Sequence, residues 1–191
     1  MKIILGSSSP SRKKLLKNAG IKFTVKKPPL NETREKRKFR GTKKALALYL
    51  AEKKALSVIT KPENIVIGAD QVLIHSGNIY NKPRSINEAK KHLSQLSDRT
   101  HNLVSGTVIS KNNKIIWRHQ SVSKMKMKKL TSEKIDQYLK KSGKNIINCV
   151  GAYNIEGYGS GLFKKIDGDF FSIVGLPLID LLNAIDRIGK E

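Results

Sequence analysis

A single cysteine, Cys149, is all the thiol chemistry this chain holds. One thiol builds neither a disulfide framework nor a four-cysteine zinc centre. No motif of a cysteine enzyme surrounds it, so Cys149 reads as a small, semi-buried residue. Acidic residues are also scarce, 15 against 38 lysines and arginines. Aromatic residues make up only 6%, and no platform of interleaved aromatic and basic side chains is visible. Long apolar runs are missing. The N-terminal run stops after Ile3, Ile4 and Leu5, short of the roughly 7–15 residues of a secretory signal and the roughly 20 of a membrane helix. The protein is therefore expected to be cytoplasmic. The histidines, His75, His92, His101 and His119, fall in no metal-ligand spacing such as H-E-x-x-H. No Walker A, GxGxxG or G-x-S-x-G sequence occurs.

What is present is positive charge, a net +23 over 191 residues. The lysines are spread over nearly every segment, and the tightest cluster, Lys36-Arg37-Lys38 with Arg34 and Arg40, is short and interrupted. Such dispersal reads first as a compositional bias. A nucleic-acid-binding face and a field that steers small polyphosphates are the other two readings. The length suits one domain, or two small lobes around a shared cleft.

Periodicity orders the chain. Lys2–Gly6 reads as a buried strand, and Ser9-Pro10 opens a helix, with Ser9 as N-cap and Pro10 at the first helical position. Phe23 and Val25 alternate as a strand. Pro28-Pro29 makes Lys26–Arg40 a loop without regular structure. Thr42 caps a helix through Ile59, with Ala45, Leu46, Tyr49, Leu50 and Leu56 facing inward. Asn64–Asp70 is a buried strand with a polar end, continued by Gln71–His75 into a hairpin at Ser76-Gly77-Asn78. Ser85 and Glu88 form a capping box for a helix to about Leu96. Asn102–Ser110 and Lys114–Lys129 are long strands about an Asn112-Asn113 turn. Helices follow over Ser132–Lys141 and from Gly175-Leu-Pro-Leu to Ile188, with glycine-rich Gly151–Gly161 and a strand at Leu162–Ile166 between them. Alternating helices and strands argue an α/β fold with a mixed sheet.

Several residues carry chemistry. In Gly6-Ser7-Ser8-Ser9-Pro10-Ser11-Arg12 a strand runs into hydroxyl residues and a helix N-terminus, whose N–H groups favour an anion. Arg12 adds a bidentate donor. The same segment also reads as simple helix capping. Asp70 ends an apolar strand, a place that often faces a ligand. Lys54 and Lys82 are point charges suited to polyphosphate, and equally to a solvated surface. Glu32 in the long loop and Glu156 between glycines stand out among so few acids. Magnesium takes one or two such carboxylates alongside substrate phosphates.

These pieces, in this order, resemble the Maf family of nucleoside triphosphate pyrophosphatases, also called septum formation inhibitor proteins. The matching segments are ILGSSSPSRKKLL, the Asn31-Glu32 pair, LAEKKA, IVIGADQVL, NKP, LSDRTHNLVSG and VGAYNIEGYGSGLFKKIDGDFFSIVGLPL. They span nearly the whole chain as a single catalytic domain, residues 1–191. The resemblance implies a mixed twisted sheet with flanking helices and two lobes around a deep cleft. It implies that Ser9, Arg12, Lys54 and Lys82 contact phosphate, that Glu156 binds substrate, that Glu32 and Asp70 hold the metal, and that Asp70 is the catalytic base. Ser11 stands where many members have an arginine, and Asn148-Cys149-Val150 departs from the family pattern. Ser11, Gln71 and Glu156 are similar to the subgroup associated with 7-methyl-GTP rather than dTTP and UTP.

The expected reaction is hydrolysis of a nucleoside triphosphate to monophosphate and pyrophosphate with magnesium or manganese, by a cytoplasmic protein that the family implies is a homodimer. Two other readings stay open. One is a basic nucleic-acid-binding protein. The other is a division regulator acting through protein contacts.

Overall fold

A computed structural model describes residues 1–190. In chain order the elements are β1 (Ile3–Gly6), α1 (Pro10–Asn18), β2 (Phe23–Val25), α2 (Glu32–Lys38), α3 (Leu46–Leu56), β3 (Ile65–His75) and β4 (Asn78–Tyr80). Then come α4 (Ile86–Leu96), β5 (Thr100–Lys111), β6 (Lys114–Met127), α5 (Ser132–Ser142), β7 (Phe163–Asp167), α6 (Phe170–Val174) and α7 (Leu178–Ile188). The sheet has seven strands in the order β2-β1-β3-β5-β6-β7, with β4 pairing β3. β1 runs parallel to β2 and β3, whereas β4 is antiparallel to β3 and β7 to β6. The sheet is mixed, as the alternation of elements argues. None of the described helices is long and apolar enough to cross a membrane.

The chain divides into two compact units. The first comprises Met1–Gln71, Ser105–Ser121 and the chain from Asp169 onward. Its strand β3 obeys the two-residue period of a pleated sheet. Ile65, Ile67 and Ala69 pack with Leu15 and Leu16 of α1 and with Leu178, Leu181, Ala184 and Ile185 of α7. Val66 joins Ile4, Val108 and Ala51 and Ala55 of α3 in a separate cluster. α7 earns its place by spacing, because Leu178, Leu181 and Ile185 recur at three and four residues along one face.

α3 comes very close to the sheet. A β-carbon on Gly68 would collide with the Ala51 carbonyl, and one on Gly106 with the backbone of Ala47 and Leu48. The buried stripe of α3 is Leu46, Ala47, Leu50, Ala51, Lys54 and Ala55. A lysine in that stripe is the anomaly that the rest of the unit explains.

The second unit comprises Val72–Val104 and Val122–Gly168. Ser85 Oγ accepts the Glu88 N–H at 3.2 Å and caps α4. The reciprocal bond of the capping box is displaced by one residue, with Glu88 Oε2 accepting the Arg84 N–H at 2.7 Å. α4 buries Ala89, Leu93 and Leu96. Thr131 caps α5, and Gly143 ends it at φ 68°, a left-handed turn that glycine adopts without strain.

Four local expectations are corrected. Lys26–Arg40 is not wholly irregular, since α2 occupies Glu32–Lys38. Pro28-Pro29 ends before Asn31, whose side chain caps α2 through the Arg34 N–H. Glu32 and Glu35 then sit in the first turn and Lys36, Arg37 and Lys38 in the last, as the helix dipole favours. The helix expected from Thr42 begins as a 3₁₀ turn over Lys43–Ala45 and ends at Leu56, leaving Ile59 88% exposed. Leu56 itself lies off the buried stripe and is exposed. Ser9 stands at the N-cap position of α1 but makes no side-chain cap bond.

Candidate active site

The site in the first unit grows from the approach of α3 to β3. Ala51 lies against Gly68. Lys54 follows one helical turn later, and Asp70 follows two residues along the same face of the strand. The Lys54 Nζ donates to Asp70 Oδ1 at 2.6 Å and pairs with Glu32 Oε1 at 2.9 Å. The Lys54 and Asp70 side chains are each only 11% exposed, whereas Glu32, at the start of α2, is 48% exposed. One ammonium, on α3, thus holds two carboxylates, one from β3 and one from α2. A buried pair of this kind is weak evidence for stability, because desolvation offsets much of the attraction. Its cost argues for chemistry instead.

Arg12 completes the cluster electrostatically. It is buried in the first turn of α1. Its Nε donates to the Gly175 carbonyl at 3.0 Å, and its Nη1 donates to Ser7 Oγ at 3.1 Å and to the Ala69 carbonyl at 2.8 Å. Burial pulls its pKa down, and the charges of Asp70 and Glu32 oppose that shift. Ser7 Oγ also accepts the Ser9 N–H at 3.3 Å, which folds the hydroxyl-rich loop over the start of α1.

Lys82 and Glu156 belong to the second unit. Both act on the Cys149 thiol, which burial pushes up while Lys82 lowers it and Glu156 raises it further. A half-buried thiol whose pKa is raised is a poor nucleophile, in keeping with the structural reading of Cys149. The structure therefore gathers Arg12, Glu32, Lys54 and Asp70 in one unit, with Ser9 on the neighbouring loop, and Lys82 with Glu156 in the other.

The donor set can be tested for a metal. No group of three or more histidine, cysteine or acidic residues able to hold an ion occurs among the described residues. Asp70 and Glu32 nevertheless converge on one cation, Lys54 Nζ. Two hard oxygen donors with a shared focus fit magnesium or manganese, which fill their remaining positions with water and substrate phosphate.

The Maf family profile, described as Maf-like protein, matches residues 2–188. The chain belongs to the Maf family. Among its relatives, the 7-methyl-GTP pyrophosphatase of Brucella suis is 41% identical over 191 residues, covering 98% of this chain and 96% of the relative. The 7-methyl-GTP pyrophosphatase of Bartonella henselae is 44% identical over 183 residues, with 94% and 92% covered. The nucleoside triphosphate pyrophosphatase of Hyphomonas neptunium is 39% identical over 191 residues, with 98% and 96% covered.

In this Maf-family chain Gln71, which the sequence marks only by its likeness to one subgroup, joins Ser105, which carries no motif, in a polar network beside Asp70. Gln71 Nε2 donates to Ser105 Oγ at 2.9 Å, to the Ser172 carbonyl at 3.0 Å and to the Ile173 carbonyl at 3.1 Å. Ser105 Oγ donates in turn to the Ser172 carbonyl at 2.8 Å. The available signal was a serine within the apolar run Leu103-Val104-Ser105, since a buried hydroxyl needs a partner. Helix α6, which supplies the acceptors, carries no strong periodic signal in five residues.

Proposed function

We propose that this chain hydrolyses nucleoside triphosphates to the monophosphate and pyrophosphate, and that 7-methyl-GTP or a similarly modified purine nucleotide is its preferred substrate. The observation that carries the reading is the convergence of Asp70 and Glu32 on the buried Lys54, in a chain whose relatives bear pyrophosphatase names.

Water attacks the α-phosphorus, the bond from that phosphorus to the bridging oxygen breaks, and pyrophosphate leaves. Asp70 orients the water and accepts its proton. An ordinary aspartate has a pKa of about 3.9 and is a weak base near neutrality. Asp70 and Glu32 hold a divalent ion, which when bound supplies charge neutralisation and an acidified water. Lys54, close to both carboxylates, turns its charge to the polyphosphate, and its ammonium stabilises the negative charge that develops there. Ser9 offers a hydroxyl to the phosphates, and Lys82 and Glu156 keep the substrate roles that the resemblance to the family implies. Arg12 engages Nε and Nη1 with three protein acceptors, so Nη2 is the donor it offers to phosphate.

The test is pyrophosphate release from 7-methyl-GTP, GTP, dTTP and UTP, with magnesium or manganese, for the native chain and Asp70→Asn. Release is expected to be fastest from 7-methyl-GTP and to fall by about 10²–10⁴-fold in the variant, the range of a lost general base. Faster turnover of dTTP and UTP would reverse the subgroup. Near-native turnover by Asp70→Asn would remove Asp70 as the base.

A further inference from the structure

Asp70 lies between two residues whose side chains tie the protein together. The Ala69 carbonyl, which precedes Asp70, accepts from Arg12 Nη1 at 2.8 Å. Gln71, which follows it, places Nε2 within 3.1 Å of three acceptors. An amide NH₂ has two hydrogens, so this group is fully engaged with the protein. Both ties lead to one place. Gln71 takes the carbonyls of Ser172 and Ile173, and Arg12 Nε takes that of Gly175.

Helix α6 is five residues long, and the carbonyls of its final turn have few partners within so short a helix. Phe171 O is met by the N–H groups of Gly175 and Leu176. Ser172 O and Ile173 O are met by Gln71, with Ser105 assisting at Ser172. Gly175, at φ 145°, adopts a backbone that a side chain resists, and a β-carbon there would stand 3.2 Å from the Arg12 Cγ. The turn is therefore shaped around the arginine.

The direction of the side chains separates this frame from the reacting groups. Ala69 faces the α1 and α7 side of β3, and alternation places Gln71 on that side too, with Asp70 on the side of α3 and Lys54. We propose that Arg12 and Gln71 are positioning residues, which lash the chain on either side of Asp70 to the carbonyl end of α6 and so aim its carboxylate. The inference rests on the proposed role of Asp70. It gives Arg12 a task beyond gripping phosphate, since its Nε and Nη1 donors go to backbone and to Ser7.

The two roles predict different kinetics. A phosphate ligand works mainly by its charge, which lysine keeps. A positioning fork works by geometry, which lysine loses. Arg12→Lys and Gln71→Met are compared with the native chain for kcat, KM and melting temperature, beside Asp70→Asn. Both variants are expected to lower kcat by about 10–100-fold, the scale of an ångström of misplacement, with KM changed by no more than about two-fold. Arg12→Lys with native kcat and a raised KM would overturn the assignment in favour of a phosphate contact. A lowered melting temperature with native kcat in both variants would reduce the frame to a structural one, as would native behaviour of Gln71→Met. If Arg12→Lys fails to fold, Gln71→Met decides alone. Asp70→Asn keeps the two levels apart: near-native turnover there removes the base, whatever the other two variants do.

Discussion

His101 is 1% exposed in the second unit, and its Nε2 shares a 2.8 Å hydrogen bond with the Tyr153 hydroxyl. Phe163 packs against both rings, while the buried His101 Nδ1 has no partner among the described residues. Burial first, and then the nearby His75, brings the His101 pKa from 6.5 to about 4. Burial pushes the Tyr153 hydroxyl upward, so both groups are neutral near pH 7. Between these two values the unfolded chain takes up a proton that the folded chain refuses. Stability from His101 is thus whole above about pH 6.5 and falls as the pH drops toward 4, by on the order of 3 kcal/mol in all. His92, also lowered chiefly by burial, acts in the same direction. Urea unfolding at several pH values should show a steeper acid loss in the native chain than in His101→Gln. Equal slopes would clear His101 of the effect. His101 carries no sequence motif, and its environment is decided by what packs over it, so its role was not legible in the chain.

At the scale of elements, the decisive contact is α3 on β3. Gly68 and Gly106 admit the helix backbone where any β-carbon would collide. Gly68→Val should displace α3 and cost about 1–3 kcal/mol, the usual range for overpacking a tight core. Because Lys54 rides on the same helix, turnover should fall further than folded population alone explains. A variant with lowered stability and native kcat would separate the packing from the site. Helix positions were largely legible, because caps and apolar spacing act within a few residues. Ser85 and Pro10 each mark an observed start, and α5 begins at the expected Ser132. The failures are physical as well. α2 is a polar helix with no buried residue, so it leaves no apolar stripe to read. α6 is shorter than two turns and relies on Gln71, Ser105 and Arg12 for its carbonyls.

Across the whole molecule the excess of 38 basic over 15 acidic side chains sets a field rather than a fold. A positive field draws polyphosphate from solution, and salt screens it within about 10 Å at 0.1 M. Raising ionic strength should therefore lower kcat/KM several-fold while kcat stays within about two-fold, because encounter is slowed and the buried cluster is not. If kcat fell in step with kcat/KM, the salt would be acting on the site itself. The same charge does not set the geometry of the proposed site, where two acids meet one lysine within 2.9 Å.

Local sequence set the alternation of helices and strands and the family to which the chain belongs, and it marked Asp70 as a polar residue in an apolar strand, although Asp70 lies in the middle of β3 (Ile65–His75) and not at the strand end expected for it. These properties are written in neighbouring residues, where periodicity, caps and motif order act. Tertiary structure alone decided which charges meet. Lys54 reaches Asp70 across 16 residues, Gln71 reaches Ile173 across 102, and Arg12 reaches Gly175 across 163. No local rule sets a hydrogen bond at such separations. It forms because packing brings donor and acceptor together away from water, where an unmet polar group is costly.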